Sequence, residues 1–379
     1  MLFSDIIGHD DTKATLVRAV QTNHLAHALL FDGRTGSANL ALALALATYV
    51  NCETRLNDPA QTDGCGQCAS CIKTAKLVHP DLHMVYPVVN IKGKNNSEAL
   101  LPEWRKFLAN NPYRTLTDWL GATEGDNKQA NISAEEARNI LQRLSLKAYE
   151  GAYKLMLIWL PEHMNATAAN ALLKVLEEPP EQTLFLLVTN QPDKLLITIL
   201  SRTQRVPVRN FTDTEVATYL RQMLNFDETK ARRIAYLSDG DMAQALLLGQ
   251  SKADELAGSS QHTWFADWMR ACYRQDLTWL VKQADEFDKI PKERQKNLFD
   301  YSLRLCRDLF LWQQGAEQLL RLPDDELNFV RNFGKVLKPD LIERMVGDLN
   351  EAAYHLERNA RAKMILLDLS LTFTRLIKR

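Results

Sequence analysis

A phosphate-binding frame stripped of its working groups constrains this chain more than any other feature. The apolar run Ala28-Leu29-Leu30-Phe31 leads into Gly33-Arg34-Thr35-Gly36-Ser37-Ala38-Asn39-Leu40, and an Ala/Leu-rich stretch follows to Val50. Strand, glycine loop and helix in that order cradle phosphates when the loop reads G-x-x-x-x-G-K-[ST]. The lysine then meets the β- and γ-phosphates and the hydroxyl meets magnesium. Here Asn39 holds the lysine position and Leu40 the hydroxyl position. Asparagine brings no charge against phosphate, and leucine cannot ligate a hard cation that takes oxygen. Gly33, Gly36, Asn39 and Leu40 therefore mark a degenerate loop at which no bound nucleotide is expected.

Around that loop the chain alternates strand and helix patterns. Ala28 to Phe31, Leu155 to Leu160 and Leu184 to Val188 read as buried parallel strands. Weaker runs near Leu82 to Tyr86 and Arg205 to Val208 complete a predicted five-stranded sheet. Ser133 and Glu136 form a potential capping box for one intervening helix. Another, Ala166 to Glu178, is stopped by Pro179-Pro180, since proline cannot continue the hydrogen-bond ladder. A long polar segment, about 90–131, with Lys92-Gly93-Lys94-Asn95-Asn96 and Gly121 to Gln129, reads as a partly ordered insertion. Strand signals stop near Phe211. Residues 211–250 form a small helical unit with turns at Asn225-Phe226-Asp227 and Asp239-Gly240-Asp241. Residues 251–379 stay helical, broken near Pro291, Pro323 and Pro339.

At 379 residues two or three domains are expected, because single cores rarely outgrow ~250–300 residues. A net charge of −1 is unlike the basic surface of a strong duplex binder. The longest apolar stretch, Leu40 to Val50, is about half of the ~20 residues a membrane helix needs. The opening Met1-Leu2-Phe3-Ser4-Asp5 lacks the pattern of a secretory signal. A cytoplasmic protein without membrane attachment is expected, and there clustered cysteines point to metal rather than disulfides.

Cys52, Cys65, Cys68 and Cys71 form such a cluster, C-x12-C-x2-C-x2-C. Four thiolates match tetrahedral, coordinatively closed zinc, which is structural rather than catalytic. A site that has lost its metal, or redox or iron–sulfur chemistry, is the alternative. Cys272 and Cys306 stand alone and read as core residues. His79 and His83 follow the cluster, but four cysteines already satisfy the ion.

A phosphoryl-transfer site also needs an acid pair at the end of a central strand. The candidate, Lys154 to Glu162, ends Trp159-Leu160-Pro161-Glu162 with no aspartate. Glu162 reads as a solvated helix-start residue, Thr189-Asn190 as a turn, and Lys174 as an intrahelical partner of Glu177 or Glu178. Two independent defects predict that the chain does not hydrolyse ATP.

The segment Ala168-Ala169-Asn170-Ala171-Leu172-Leu173-Lys174-Val175-Leu176-Glu177-Glu178-Pro179-Pro180 resembles the delta-prime subunits of the bacterial DNA polymerase III clamp loader and their gamma/tau relatives. Phe3-Ser4-Asp5-Ile6-Ile7-Gly8-His9 is similar to that family's F-x-D-I-I-G-Q opening. His24 to Phe31 is similar to its lead into the first strand, and the cysteine cluster sits in the family position. Leu200-Ser201-Arg202-Thr203 resembles its S-R-C element, with Thr203 in place of cysteine. The likeness is strong over about 1–210, with a weaker match at Arg358 to Lys363.

It implies an AAA+ module: a RecA-like α/β domain over 1–210 carrying a zinc knuckle at about 52–71, an all-α lid over 211–250, and an all-α collar over 251–379. It also implies gamma/tau and delta subunits, the sliding clamp and primed DNA as partners. Within this resemblance Trp159-Leu160 occupies the place of the Asp-Glu pair, which fits a non-hydrolysing subunit. Arg202, flanked by Ser201 and Thr203, is then expected to reach a neighbouring motor's ATP site. On the residues alone it reads as a surface arginine at a helix C-terminus. Other readings are an active AAA+ ATPase, or a zinc-containing DNA-binding adaptor. Basic Arg375, Lys378 and Arg379 read as a solvated tail.

Overall fold

The computed structural model describes residues 1–379 apart from 59, 90–95, 110, 124–129, 145–146, 251–259, 323, 359 and 378–379. Outside the described residues therefore lie Lys92 to Asn95, part of the Gly121 to Gln129 run, Pro323, Asn359 and the last two residues of the basic tail. The chain packs as two units, one reaching Leu246 and one running from Leu247 onward.

The first unit is built on a parallel sheet. Its strands are β1 (Ala28–Gly33), β2 (Leu82–Val85), β3 (Lys154–Trp159), β4 (Thr183–Thr189) and β5 (Gln204–Val208), in the order β2-β3-β4-β1-β5. Every residue of β3 and β4 is buried, as their unbroken apolar runs require for a sheet covered on both faces. Helices α1 (Asp10–Gln21), α2 (Asn39–Val50), α3 (Glu53–Asn57), α4 (Ala69–Ala75), α5 (Leu101–Leu108), α6 (Leu116–Ala122), α7 (Ala134–Leu144), α8 (Ala166–Glu177) and α9 (Ile197–Leu200) lie between or beside the strands. Helix α2 is buried at every position, so the longest apolar stretch of the chain is a core helix. Among the described residues no helix is long and apolar enough to cross a membrane. Helix α7 starts where expected, with the Glu136 amide donating to Ser133 Oγ at 3.4 Å. The buried Glu136 carboxylate accepts from the Ser97 amide at 2.8 Å.

The polar insertion contains an apolar nucleus that its composition conceals. Helices α5 and α6 bring Trp104 and Trp119 against Tyr86 and Phe107 against both indoles, with Trp104 stacked on Tyr86 at 4.0 Å between centroids and edge-on to Trp119 at 5.0 Å. Trp119 Nε1 donates to the Pro87 carbonyl at 2.9 Å, which satisfies its one polar atom inside the cluster.

Helices α10 (Asp213–Leu224), α11 (Glu228–Ser238) and α12 (Met242–Gln250) follow β5. Asn225 and Asp239 take the left-handed conformation at the two expected turns. The second unit holds α13 (Ser260–Arg274), α14 (Leu277–Phe287), α15 (Lys292–Gln313), α16 (Asp324–Gly334), α17 (Pro339–Glu357) and α18 (Ala362–Ile377). Pro291 precedes α15 and Pro339 opens α17, positions where a missing amide costs nothing. The unit's core centres on Phe265, Trp268, Phe299 and Phe373, with Cys272 and Cys306 fully buried in it as expected.

Two polar side chains close the end of the sheet at which β2 and β3 begin. Asn51, just past α2, exchanges two 2.8 Å hydrogen bonds with the backbone of Tyr153. Asp81 accepts from the amides of Tyr149, Glu150 and Gly151 at 2.6, 2.9 and 2.7 Å. Burial disfavours the Asp81 charge, but these donors and nearby His79 outweigh it and hold the carboxyl below its ordinary range. A depressed acid stabilises the fold above its unfolded pKa, and that contribution is lost as pH falls through the folded value. Asp81→Asn is therefore expected to cost about 1–3 kcal/mol at neutral pH and to flatten the fall in stability below pH ~4. Urea unfolding at a series of pH values measures both.

Candidate functional site

In the loop between β1 and α2 the Asn39 side chain is turned inward and meets a helix-start amide of the kind that usually awaits a phosphate. Asn39 is 5% exposed. Its Nδ2 donates to the Gly33 and Thr189 carbonyls at 3.3 and 3.2 Å and to Asn190 Oδ1 at 2.9 Å. Its Oδ1 accepts the Leu40 amide at 2.8 Å. That amide is one of the four at a helix start that have no partner within the helix, the groups a phosphate loop offers to an anion. Leu40 is buried and contributes to the core. Gly36 has φ +74°, and the start of α12 sits against it. The Met242 amide donates to the Gly36 carbonyl at 3.1 Å, and a Cβ on Gly36 would lie 1.9 Å from Asp241 Oδ1. Sequence reading placed Asp241 in a turn but gave no sign that the turn would close on the loop.

The end of β3 carries the second defect, and its residues have other work. The Trp159 ring lies 5.1 Å from Trp104 and 6.4 Å from Phe107, inside the aromatic nucleus of the insertion. Leu160 is buried in the left-handed region at φ 54°. Glu162 is not the solvated helix-start residue expected. Its carboxylate accepts from Thr189 Oγ1 at 2.9 Å and from the Asn190 amide at 3.0 Å, and burial pushes the carboxyl above its ordinary value. The chain folds this way because the 3-10 turn Pro161–His163 returns Glu162 under the end of β4. Thr189 Oγ1 also accepts the Gln191 amide at 3.1 Å, the turn role expected of it. Asn39, Asn190, Thr189 and Glu162 thus form one internal polar network where a nucleotide site would stand.

The four cysteines converge as their spacing implies. Their sulfurs all lie within 4.8 Å of one another, compatible with the ~3.8 Å edges of a tetrahedron with ~2.3 Å metal–sulfur bonds. Cys52 follows the end of α2, Cys65 and Cys68 come from the turn leading into α4, and Cys71 lies in the first turn of α4 itself. Amides of Cys65, Cys68 and Cys71 donate to the sulfurs of Cys52, Cys65 and Cys68 at 3.3, 3.3 and 3.4 Å. Such N–H···S bonds orient thiolate ligands and offset their charge. Gly66 supplies the left-handed turn at φ +71°. Asp63 ties this segment to the N-terminus, accepting from the Phe3 and Ser4 amides, both at 2.9 Å. His79 faces elsewhere: its Nδ1 accepts the Asp81 amide at 3.1 Å.

Arg202 follows α9 on the surface, with its side chain 32% exposed. Nη1 donates to the Thr198 carbonyl at 2.9 Å and Nη2 donates to the Glu177 carboxylate. Among the described residues no contact joins Arg202 to the phosphate loop. The pairing of Glu177 with Arg202 replaces the expected intrahelical pair with Lys174. Glu177 and Glu178 sit at the C-terminal end of α8, where an acid opposes the helix dipole by ~0.3–1 kcal/mol. An exposed ion pair returns ~0–1 kcal/mol. The arrangement therefore adds little net stability.

Residues 8–212 match the family described as DNA polymerase III, delta subunit. The DNA polymerase III delta' subunit of Yersinia pestis is 26% identical over 348 residues, 90% of this chain and 86% of that one. The delta' subunit of Bacillus subtilis (strain 168) is 30% identical over 244 residues, covering 64% of this chain and 59% of that one. The tau subunit of the same organism is 26% identical over 251 residues, covering 65% of this chain and 37% of that one. The chain thus spans less than two thirds of either Bacillus protein. A solved gamma subunit-related protein from Thermotoga maritima matches with TM-score 0.41 and 17% identity, over 97% of this chain and 100% of that one.

Restoring the missing acid is expected to fail at the level of folding. Trp159→Ala should cost ~3–5 kcal/mol by opening a cavity beside Trp104. Trp159→Asp should cost more, since it adds a buried charge without a cation. Denaturant midpoints of the two variants against the parent chain measure the difference.

Proposed function

Because the chain belongs to the DNA polymerase III delta-subunit family, we propose that it is a delta-prime-type, non-hydrolysing clamp-loader subunit that lends Arg202 to a neighbouring motor's ATP site. In this reading it works in the cytoplasm with gamma/tau and delta subunits and helps load a sliding clamp onto primed DNA. The α/β part is the AAA+ domain, 211–250 the lid and 251–379 the collar through which subunits associate.

The observation that carries the non-hydrolysing reading is the closed network of Asn39. A nucleotide entering the loop would have to break four hydrogen bonds and would gain no lysine. It would also meet the Asp241 carboxylate beside Gly36. A phosphate charge ~4 Å from that carboxylate is opposed by about 4 kcal/mol at an effective dielectric of ~20. The commitment of Trp159 to packing supports this reading over that of an active ATPase, which would want an acid at the end of β3.

The placement of Arg202 supports the second half of the reading. It is a partly exposed cation just past a short surface helix, where a guanidinium can meet the γ-phosphate of an ATP bound to another subunit and stabilise charge that develops there. The isolated chain is expected to show no ATP turnover, and Asn39→Lys should not create it. In the reconstituted complex, Arg202→Ala should leave assembly intact and slow turnover at the adjoining motor site by ~10³-fold. Single-turnover hydrolysis by that complex decides the point, and an unchanged rate would reject the role.

The four cysteines have the donor set of a structural zinc site, and the closed shell leaves no position for substrate. The bound ion would tie the end of α2 to α4. One zinc per chain is expected by elemental analysis. Cys71→Ser should lose the metal and lower the thermal midpoint without altering the mixture of subunits with which the remaining folded protein assembles.

A further inference from the structure

We infer that Glu177 is a positioning residue for the donated arginine, holding the Arg202 guanidinium ready for the neighbour's phosphate. This rests on the reading of Arg202 given above. A guanidinium has five N–H donors in a rigid fork. Three are engaged in this chain: Nη1 with the Thr198 carbonyl at 2.9 Å and with Ser201 Oγ at 3.4 Å, and Nη2 with Glu177 Oε1. Within the described contacts the second Nη2 proton and Nε–H have no partner in this chain.

The two anchors come from different elements. Thr198 and Ser201 belong to the same turn as Arg202 and fix its near side. Glu177 reaches across from the end of α8 and fixes its far side. An arginine side chain is long and rotamer-rich, so an unanchored guanidinium would lose that freedom on meeting phosphate. One already held in place does not, and the gain appears in the transition state when the site is built for it.

The position of Glu177 sharpens the point. It lies at the helix end where an acid is disfavoured, and the intrahelical lysine one turn back is not its partner. Its carboxylate is spent on Arg202. Glu177 approaches the reaction only through that arginine, so its effect should fall on kcat and leave KM for ATP in place.

Two variants in the reconstituted complex test this. Glu177→Ala should lower kcat for ATP ~10-fold with KM and assembly unchanged. Glu177→Gln, which keeps an acceptor oxygen at the same reach, should recover to within about threefold of the parent complex. If Glu177→Ala leaves kcat unchanged or raises it while Arg202→Ala slows hydrolysis, the positioning role is overturned and the donated arginine stands. A Gln variant as slow as the Ala variant overturns it as well, by tracing the effect to charge instead of orientation. If Arg202→Ala has no effect, both readings fall together.

Discussion

The Asn39 side chain is the interaction on which the character of the molecule depends. A phosphate loop presents unpaired amides and carbonyls at a helix start, and leaving them buried without a partner costs free energy comparable to a lost hydrogen bond. A nucleotide normally meets part of that need. Here one neutral amide does so from inside, donating to Gly33, Thr189 and Asn190 and accepting from Leu40. The Leu40 amide is therefore met without a ligand. An asparagine can do this because it carries donor and acceptor on one short side chain; a lysine has donors alone.

The positions around the loop are engaged in packing and in internal hydrogen bonds. Trp159 closes the aromatic nucleus of the insertion, and Glu162 becomes a half-buried clamp between the turn after β3 and the end of β4. The two roles suit each other. A magnesium-binding acid in place of Trp159 would need water and a cation nearby, whereas an indole wall excludes both. Glu162 tolerates burial because two donors meet its oxygens and because its carboxyl holds a proton more readily there. The polar network and the aromatic nucleus are thus parts of one arrangement.

Legibility in the sequence followed the range over which each signal acts. The strands are readable because a doubly covered sheet demands continuous apolar runs, and the convergence of the four cysteines because their spacing is short. Proline and glycine marked the helix boundaries at Pro291, Pro339 and Asp239-Gly240. The misses all involve partners far apart along the chain. Trp104 and Trp119 are scattered through a polar segment, and their stacking with Tyr86 and Trp159 exists only after folding. Glu162 was read from its local helix start, but its partners lie 27 and 28 residues on. Lys174 was the obvious neighbour for Glu177 at helical spacing; the real partner is 25 residues away at Arg202. Local pattern reports periodicity and turn chemistry, and it is silent about which side chain arrives from elsewhere.

The glycines of the loop show why a motif by itself is an unsafe guide to ligand binding. In a working site their absence of a side chain lets backbone approach phosphate. In this chain both are needed for other reasons. A Cβ on Gly33 would lie 2.3 Å from Ser37 Oγ and 3.0 Å from the Val208 carbonyl, so a side chain there would have to displace the Ser37 hydroxyl and press on β5. Gly36 combines a left-handed backbone with the Asp241 carboxylate pressed against it, so docking of α12 demands glycine too. An alanine at either place would clash with protein before any nucleotide arrived. The G-x-x-G spacing therefore records how tightly strand, loop and the start of α12 are packed, and the presence or absence of phosphate chemistry is decided one turn later, at Asn39 and Leu40.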